Sequence, residues 1–250
     1  MSRVDLFNGV EITIEGTATK YHSYDDWGLY VTNTDYIKEP KQNTNYVAVP
    51  GRDGLLDLSD VVTGRPTYSG REIKIVLAGH RNKKLWDEVL STFRNNINGK
   101  ICRLIFDNDI THFWRGRIDI KDFKSALNYG TFTIDIPNAD PYKYDVASSA
   151  DPWLWDPFNF ETGVIIQAQS VDIVGSGTIT IPHGKMPTCP TIVVSNKVSG
   201  TFELVFDGVS YPLTVGNNKI PCVMVGGDQS VSLDFVGTAT VQIVYRGGSL

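Results

Sequence analysis

Residues 202–213, FELVFDGVSYPL, read as two strands and the turn between them. Phe202, Leu204 and Phe206 alternate with polar or smaller neighbours, Asp207-Gly208 follows, and Tyr211 and Leu213 resume the alternation. Period two with one apolar face marks a half-buried strand, because successive side chains point to opposite faces of a sheet. An Asp-Gly pair between two such runs is the turn of an antiparallel hairpin. The same pattern continues to the C-terminus. Val231, Leu233 and Phe235 alternate up to Gly237, and Val241, Ile243 and Tyr245 alternate beyond it. Short strands separated by glycine turns, with almost no helical periodicity, predict an antiparallel β-sandwich for the C-terminal part.

Working towards the N-terminus, strands again dominate. Ile12 and Ile14 alternate with Glu11, Thr13 and Glu15. Ile73, Ile75 and Leu77 alternate with Glu72 and Lys74, and Phe132, Ile134 and Ile136 with Thr131, Thr133 and Asp135. CRLIFDNDITHFWRGRI reads as a hairpin turning at Asp107-Asn108-Asp109. One segment breaks the pattern. From Lys83 to Ile97, the apolar residues Leu85, Trp86, Val89, Leu90, Phe93 and Ile97 recur at helical spacing, with Asn82 placed to cap the start and Asn98-Gly99 to stop it. The expected fold class is therefore mainly β: a β-sandwich-like N-terminal domain carrying one amphipathic helix, then a second sandwich.

Charge divides the chain in the same way. Residues 1–150 hold 19 basic and 20 acidic side chains, whereas residues 151–250 hold only 4 and 8. With the Pro-, Ser- and Ala-containing stretch from Asn138 to Pro152, this change predicts two domains, 1–140 and 161–250, joined by a junction over 141–160. The net charge of −5 leaves no basic footprint for a nucleic-acid backbone. No apolar run approaches the ~18 residues that a membrane helix needs, and no signal peptide opens the chain. Three cysteines, Cys102, Cys189 and Cys222, are too few for a disulfide framework and read as small core residues.

No catalytic constellation emerges. There is no G-x-S-x-G elbow, and His22, His80, His112 and His183 are scattered without metal spacing. Asp107, Asp109 and His112 resemble part of a calcium loop, but His112 and Ile118 occupy the places where such a loop needs glycine and an acid. That cluster reads as a polar hairpin turn. Gly175-Ser176-Gly177 precedes a strand-like run, whereas a dinucleotide loop must open a helix. The expectation is a non-enzyme without cofactor or bound metal.

Two segments are unusual. YVAVPGRDGLLDLSD holds two adjacent turn signals, Pro50-Gly51 and Asp53-Gly54, with Arg52 and Asp53 between apolar flanks. Paired glycines there permit positive φ in a specialised loop. DPWLWDPFNFETGV places Trp153, Trp155, Phe158 and Phe160 within eight residues, and leaving such groups in water costs about 1.5–3 kcal/mol each.

These segments carry a family resemblance. VPGRDGLLDLSD followed by REIKIVLAG and an amphipathic helix, the WDPFNFETGV junction, and the ending with PTIVVSN, GTFELVFDGVSYPLTVGNN and VYRGGSL resemble the distal tail proteins of long-tailed bacteriophages of Gram-positive hosts. The resemblance implies a structural virion protein, the hexameric hub of the tail tip or baseplate, assembled in the bacterial cytoplasm. In that family the N-terminal domain forms a ring and the C-terminal domain is a galectin-like sandwich. Implied partners are other copies of the chain, the tail tube protein, the tail-associated fibre or lysin protein and receptor-binding or accessory baseplate proteins. Gly51, Arg52, Asp53 and Gly54 would lie in the ring domain's shared loop, and Trp153, Trp155, Asp156, Pro157 and Phe158 in the interdomain junction. Two rival readings remain open. One is a carbohydrate-binding adhesion module recognising the host cell wall, with Trp153, Trp155, Tyr211 and Tyr245 as stacking platforms. The other is a tail-borne cell-wall hydrolase.

Overall fold

The computed structural model describes residues 8–33, 36–61, 63–80, 83–125, 129–149, 170–198 and 200–250. The backbone forms two compact units, Met1–Lys143 and Tyr144–Leu250.

The first unit runs β1 (Val10–Ile14), β2 (Lys20–His22), α1 (Ser23–Trp27), β3 (Tyr30–Val31), β4 (Tyr46–Ala48), β5 (Leu55–Asp57) and β6 (Arg71–Gly79). Helix α2 (Lys83–Asn96) follows, then β7 (Ile101–Phe106), β8 (Asp109–Arg117), β9 (Asp119–Ser125) and β10 (Gly130–Ala139). Within this unit the strands order as β2-β1-β7-β8 in one antiparallel sheet and β3-β6-β10-β9 in another. Register matches the apolar faces. Ile73, Ile75 and Leu77 of β6 pair with Ile136, Ile134 and Phe132 of β10. Val10, Ile12 and Ile14 of β1 pair with Phe106, Leu104 and Cys102 of β7. Trp86, Val89, Leu90 and Phe93 of α2, with Ile97 just beyond its end, join both sheets in one core, so the helical stripe covers sheet surface as expected from its period. The helix stops where the Asn98 N–H reaches back to the Phe93 carbonyl, 2.9 Å away, with Gly99 at φ 76°. The expected cap, Asn82, lies outside the described residues.

The β7–β8 hairpin turns on Asp107-Asn108 alone, because Asp109 already pairs with Phe106. Asp109 belongs to the strand, where Thr111 and Lys143 donate to its carboxylate and His112 bonds it at 2.6 Å.

β11 (Lys143–Asp145) spans the boundary between the units. The second unit continues with β12 (Val171–Ile173), β13 (Ser176–Ile181), β14 (Thr191–Ser195), β15 (Glu203–Phe206) and β16 (Val209–Pro212). It ends with β17 (Gly216–Lys219), β18 (Val231–Val236), β19 (Ala239–Val244) and β20 (Gly248–Ser249). Two four-stranded antiparallel sheets, β12-β19-β14-β17 and β13-β18-β15-β16, share one core. Ile192, Val194, Val241 and Ile243 enter it from one sheet and Leu204, Leu233 and Phe235 from the other. The Asp207-Gly208 turn has φ of 48° and 75°, the double left-handed geometry of a type I′ hairpin. The chain is thus mainly β, with antiparallel sandwich architecture.

The three cysteines part company. Cys102 is fully buried, and burial pushes its thiol up to about 11. Cys189 is partly buried and Cys222 is exposed, which corrects the expectation that all three are core residues. The reason is local alternation: Val223 and Val225 point inward with no exposure, so Cys222 points out and its thiol meets the Tyr211 hydroxyl at 3.1 Å.

Candidate assembly site

The Gly51–Gly54 loop is the tip of a hairpin. Strands β4 and β5 pair as Tyr46↔Asp57, Val47↔Leu56 and Ala48↔Leu55. At the tip the Arg52 N–H donates to the Val49 carbonyl at 3.1 Å, with Pro50 and Gly51 between them and Gly51 at φ 81°. Proline second and a left-handed residue third is the type II arrangement. Gly54 closes the loop at φ 78°. Both glycines therefore occupy backbone positions that other residues adopt only at a cost. The side chains of Arg52 and Asp53 are exposed and make no ion pair among the described residues.

This hairpin is the outer end of a longer antiparallel ribbon that grows from β6. Near the sheet, Ile37 bridges Ile73, and the Lys38 ammonium bonds Glu72 at 2.6 Å, holding the Glu72 carboxyl below the usual range. Further out, Gln42 bridges Tyr68 and the Asn43 N–H donates to the Thr67 carbonyl at 2.9 Å. At the neck of the hairpin the Leu58 N–H donates to the Asn45 carbonyl at 2.8 Å, and the Asn45 N–H to the Ser59 hydroxyl at 2.9 Å. Ser59 also donates to the Asp57 carboxylate through its hydroxyl and its backbone N–H, which lowers that carboxyl's pKa.

The ribbon buries almost nothing of itself. Every residue from Lys41 to Leu55 is exposed, and among the described residues of 38–70 no side chain belongs to either apolar core. Yet it presents Tyr46, Val47, Val49, Leu55 and Val61 to solvent, the last two 60% and 70% exposed. A two-stranded ribbon in water is marginal on its own, and an exposed apolar patch of this kind marks a contact surface. The sequence singled out the tip. It did not reveal the ribbon behind it, because residues 36–45 and 58–70 carry no strand-like alternation and are held by isolated bridges and side-chain bonds.

The other candidates divide. Trp153, Trp155, Asp156, Pro157 and Phe158 lie outside the described residues. Tyr245 is 9% exposed, too buried to stack on a sugar, and Tyr211 is partly buried against the second core. Asp107 lies in the polar turn and Asp109 in the strand after it, and the residue missed beside Asp107 is His22. Its Nδ1 accepts from the Asp25 N–H at 3.2 Å, capping α1, which leaves Nε2–H to donate to Asp107 at 3.0 Å. Sequence spacing carries no signal for this pair, whose members stand 85 positions apart. Among the described residues no three His, Cys, Asp or Glu side chains gather as a metal site, and no helix is long and apolar enough to cross a membrane.

No protein-family model and no curated protein matches the sequence. Solved structures do match. The crystal structure of the phage SPP1 Dit (gp 19.1) protein, described as a paradigm of the hub adsorption apparatus in phages infecting Gram-positive bacteria, aligns with a TM-score of 0.56 at 12% identity. The alignment covers 95% of this chain and 98% of that one, so both units and their order along the chain are included. This chain has the fold of the Dit hub protein.

Proposed function

We propose that this chain is a structural protein of a phage tail tip, a distal tail protein whose first unit assembles into a closed ring, a hexamer as in the family it resembles. The observation that carries the reading is the outer part of the ribbon, from Lys41 to Val61, which turns Tyr46, Val47, Val49, Leu55 and Val61 to solvent. A surface element that gives no side chain to its own unit's core gains stability by covering, and being covered by, another chain. Identical subunits joined head to tail close into a ring or grow without limit, and a tail tip requires closure. The likeness to the Dit fold over nearly the whole chain supports the same reading. A net charge of −5 suits a conduit for DNA, since an acidic or neutral lumen does not hold phosphates. On this reading the chain sits in the virion between the tail tube and the tail-associated fibre or lysin protein, and it has no catalytic role.

Light scattering tests the ring. Six copies of a 27.7 kDa chain weigh about 166 kDa. Replacing Leu55 and Val61 by serine is expected to leave each subunit folded and to weaken the ring. A wild-type chain that stays monomeric at high concentration, and also in the presence of its tail proteins, overturns the hub and favours the adhesion-module reading.

A further inference from the structure

The second unit carries an apolar surface of its own. Its antiparallel topology puts the β12–β13, β14–β15, β16–β17 and β18–β19 connections at one end of the sandwich. From that end project Val174, Val198, Val215 and Val236, 79%, 55%, 66% and 49% exposed. The connections are tied to one another. The Gly237 N–H donates to the Gly175 carbonyl at 2.8 Å and the Val198 N–H to the Thr238 carbonyl at 3.0 Å. The Lys197 ammonium donates to the Leu213 carbonyl at 3.2 Å. Each connection also holds or adjoins a glycine of positive φ, at Gly175, Gly200, Gly216 and Gly237. Single exposed valines are ordinary, but four on adjoining, cross-bonded turns form a patch.

The charge at this end selects an occupant. Lys197 is the one charged side chain among the described residues of the four turns; Glu203, paired with Val236 at the start of β15, flanks them, and no exposed aromatic residue accompanies Lys197. A sugar needs ring faces and a fan of polar groups, which this end lacks. An anionic membrane surface is held by several cations rather than one. Two copies meeting through this end offer Lys197 no carboxylate from the described residues of the four turns, which carry none. We infer that the valine end of the second unit docks a different protein chain, one that presents aliphatic side chains and a carboxylate for Lys197. The inference rests on the hub reading, since a hub is where unlike chains meet, but it concerns a surface that the ring does not use.

The test uses assembled particles. A photo-reactive amino acid is placed at position 174 or 215 in the full chain, and at position 55 on the ribbon as a control, and adducts are mapped by mass spectrometry. The expected result is a cross-link from 174 and 215 to another polypeptide, at a segment rich in aliphatic residues with Asp or Glu. Lys197→Glu is expected to cut its yield roughly fivefold or more, about 1 kcal/mol of binding. Position 55 is expected to link copies of this chain to each other. Links from 174 or 215 to a second copy or to glycan overturn the inference. So do no links there while position 55 reports a ring, or an unchanged yield with Lys197→Glu. Absence of the chain from the particles overturns the hub reading and this inference with it.

Discussion

Gly130, the first residue of β10, lies flat against the indole of Trp86: a Cβ added there would sit 2.5 Å from Cε2 of that ring. The contact sets how closely α2 approaches the sheet. Trp86 has no exposure, and its ring meets Phe132 edge-on at 6.3 Å and Phe123 at 5.9 Å. With neighbours on several sides the indole has no direction in which to retreat. Gly130→Ala is therefore expected to destabilise the first unit by about 1–3 kcal/mol, the usual cost of overpacking a close-packed core. Denaturant unfolding measures it, and an unchanged midpoint refutes the claim that this approach is tight.

Arg115 joins two carboxylates in the first unit. Its Nε and Nη2 donate to the two oxygens of Glu15 at 3.0 and 2.9 Å, and Nη1 donates to Asp140 at 3.2 Å. The bidentate bond from Arg115 holds the Glu15 carboxyl below its ordinary value against the opposing effect of burial. A carboxyl lowered on folding contributes stability above its unfolded pKa, near 4.3, and loses it as pH falls through the lower folded value. Both side chains are about one-third exposed, so the contribution at neutral pH is about 1 kcal/mol or less. Glu15→Gln is expected to lower stability by that amount at pH 7, with the gap from wild type closing below pH 4. Thermal melts over pH 3–7 check this, and a gap independent of pH excludes the pair as its source.

The alternation of Ile73, Ile75 and Leu77 and of Phe132, Ile134 and Ile136 located the central strand pair, because side-chain period is a local property that the chain states outright. The α2 stripe was legible for the same reason, and so was the Asp207-Gly208 turn, whose residue types meet a φ requirement. Pairing across distance was not legible. Nothing near His22 announces Asp107, and nothing around Asn43 or Thr67 announces that they face each other in a ribbon. Cys222 departs from the core placement its residue type suggests, because Val223 beside it has the stronger claim on the inward position. In the candidate site, the two glycines at the tip were readable as backbone requirements. The exposed valines and leucine around them were not, since a hydrophobic residue in sequence looks the same whether it faces a core or a partner.

Gly54 tests that backbone requirement in isolation. At φ 78° a Cβ would meet nothing within 4 Å, so a side chain there is penalised by conformation rather than by collision. Gly54→Val is expected to cost about 1–2 kcal/mol, with the β-branched residue at the upper end, and Gly54→Asn markedly less, since asparagine tolerates the left-handed region. Loop residues contribute to neither core, so the loss is expected to appear as a frayed hairpin and weaker self-association rather than a lower melting temperature for the unit. Hydrogen exchange at the Val47 and Leu56 amides reads the fraying. Equal protection in the valine and asparagine variants defeats the argument.

The two apolar cores share no side chain among the described residues, which predicts separable responses to damage. Phe132 belongs to the first core and stacks edge-on against Phe93 with centroids 4.8 Å apart. Phe235 belongs to the second and lies parallel to Phe202 at 5.8 Å. Truncating either ring leaves a cavity that close-packed neighbours fill only in part, at a cost of about 3–5 kcal/mol. Calorimetry of the full chain is expected to resolve two transitions, one lowered by Phe132→Ala and the other by Phe235→Ala. With Trp153 and Trp155 replaced by phenylalanine, the fluorescence of Trp27, Trp86 and Trp114, all buried in the first core, assigns the first transition to that unit. If either substitution lowers both transitions equally, or if one cooperative transition accounts for the whole heat, the units do not fold independently. A division of labour between a ring-forming first unit and a docking second unit then loses its physical basis, because a contact made by one would alter the stability of the other.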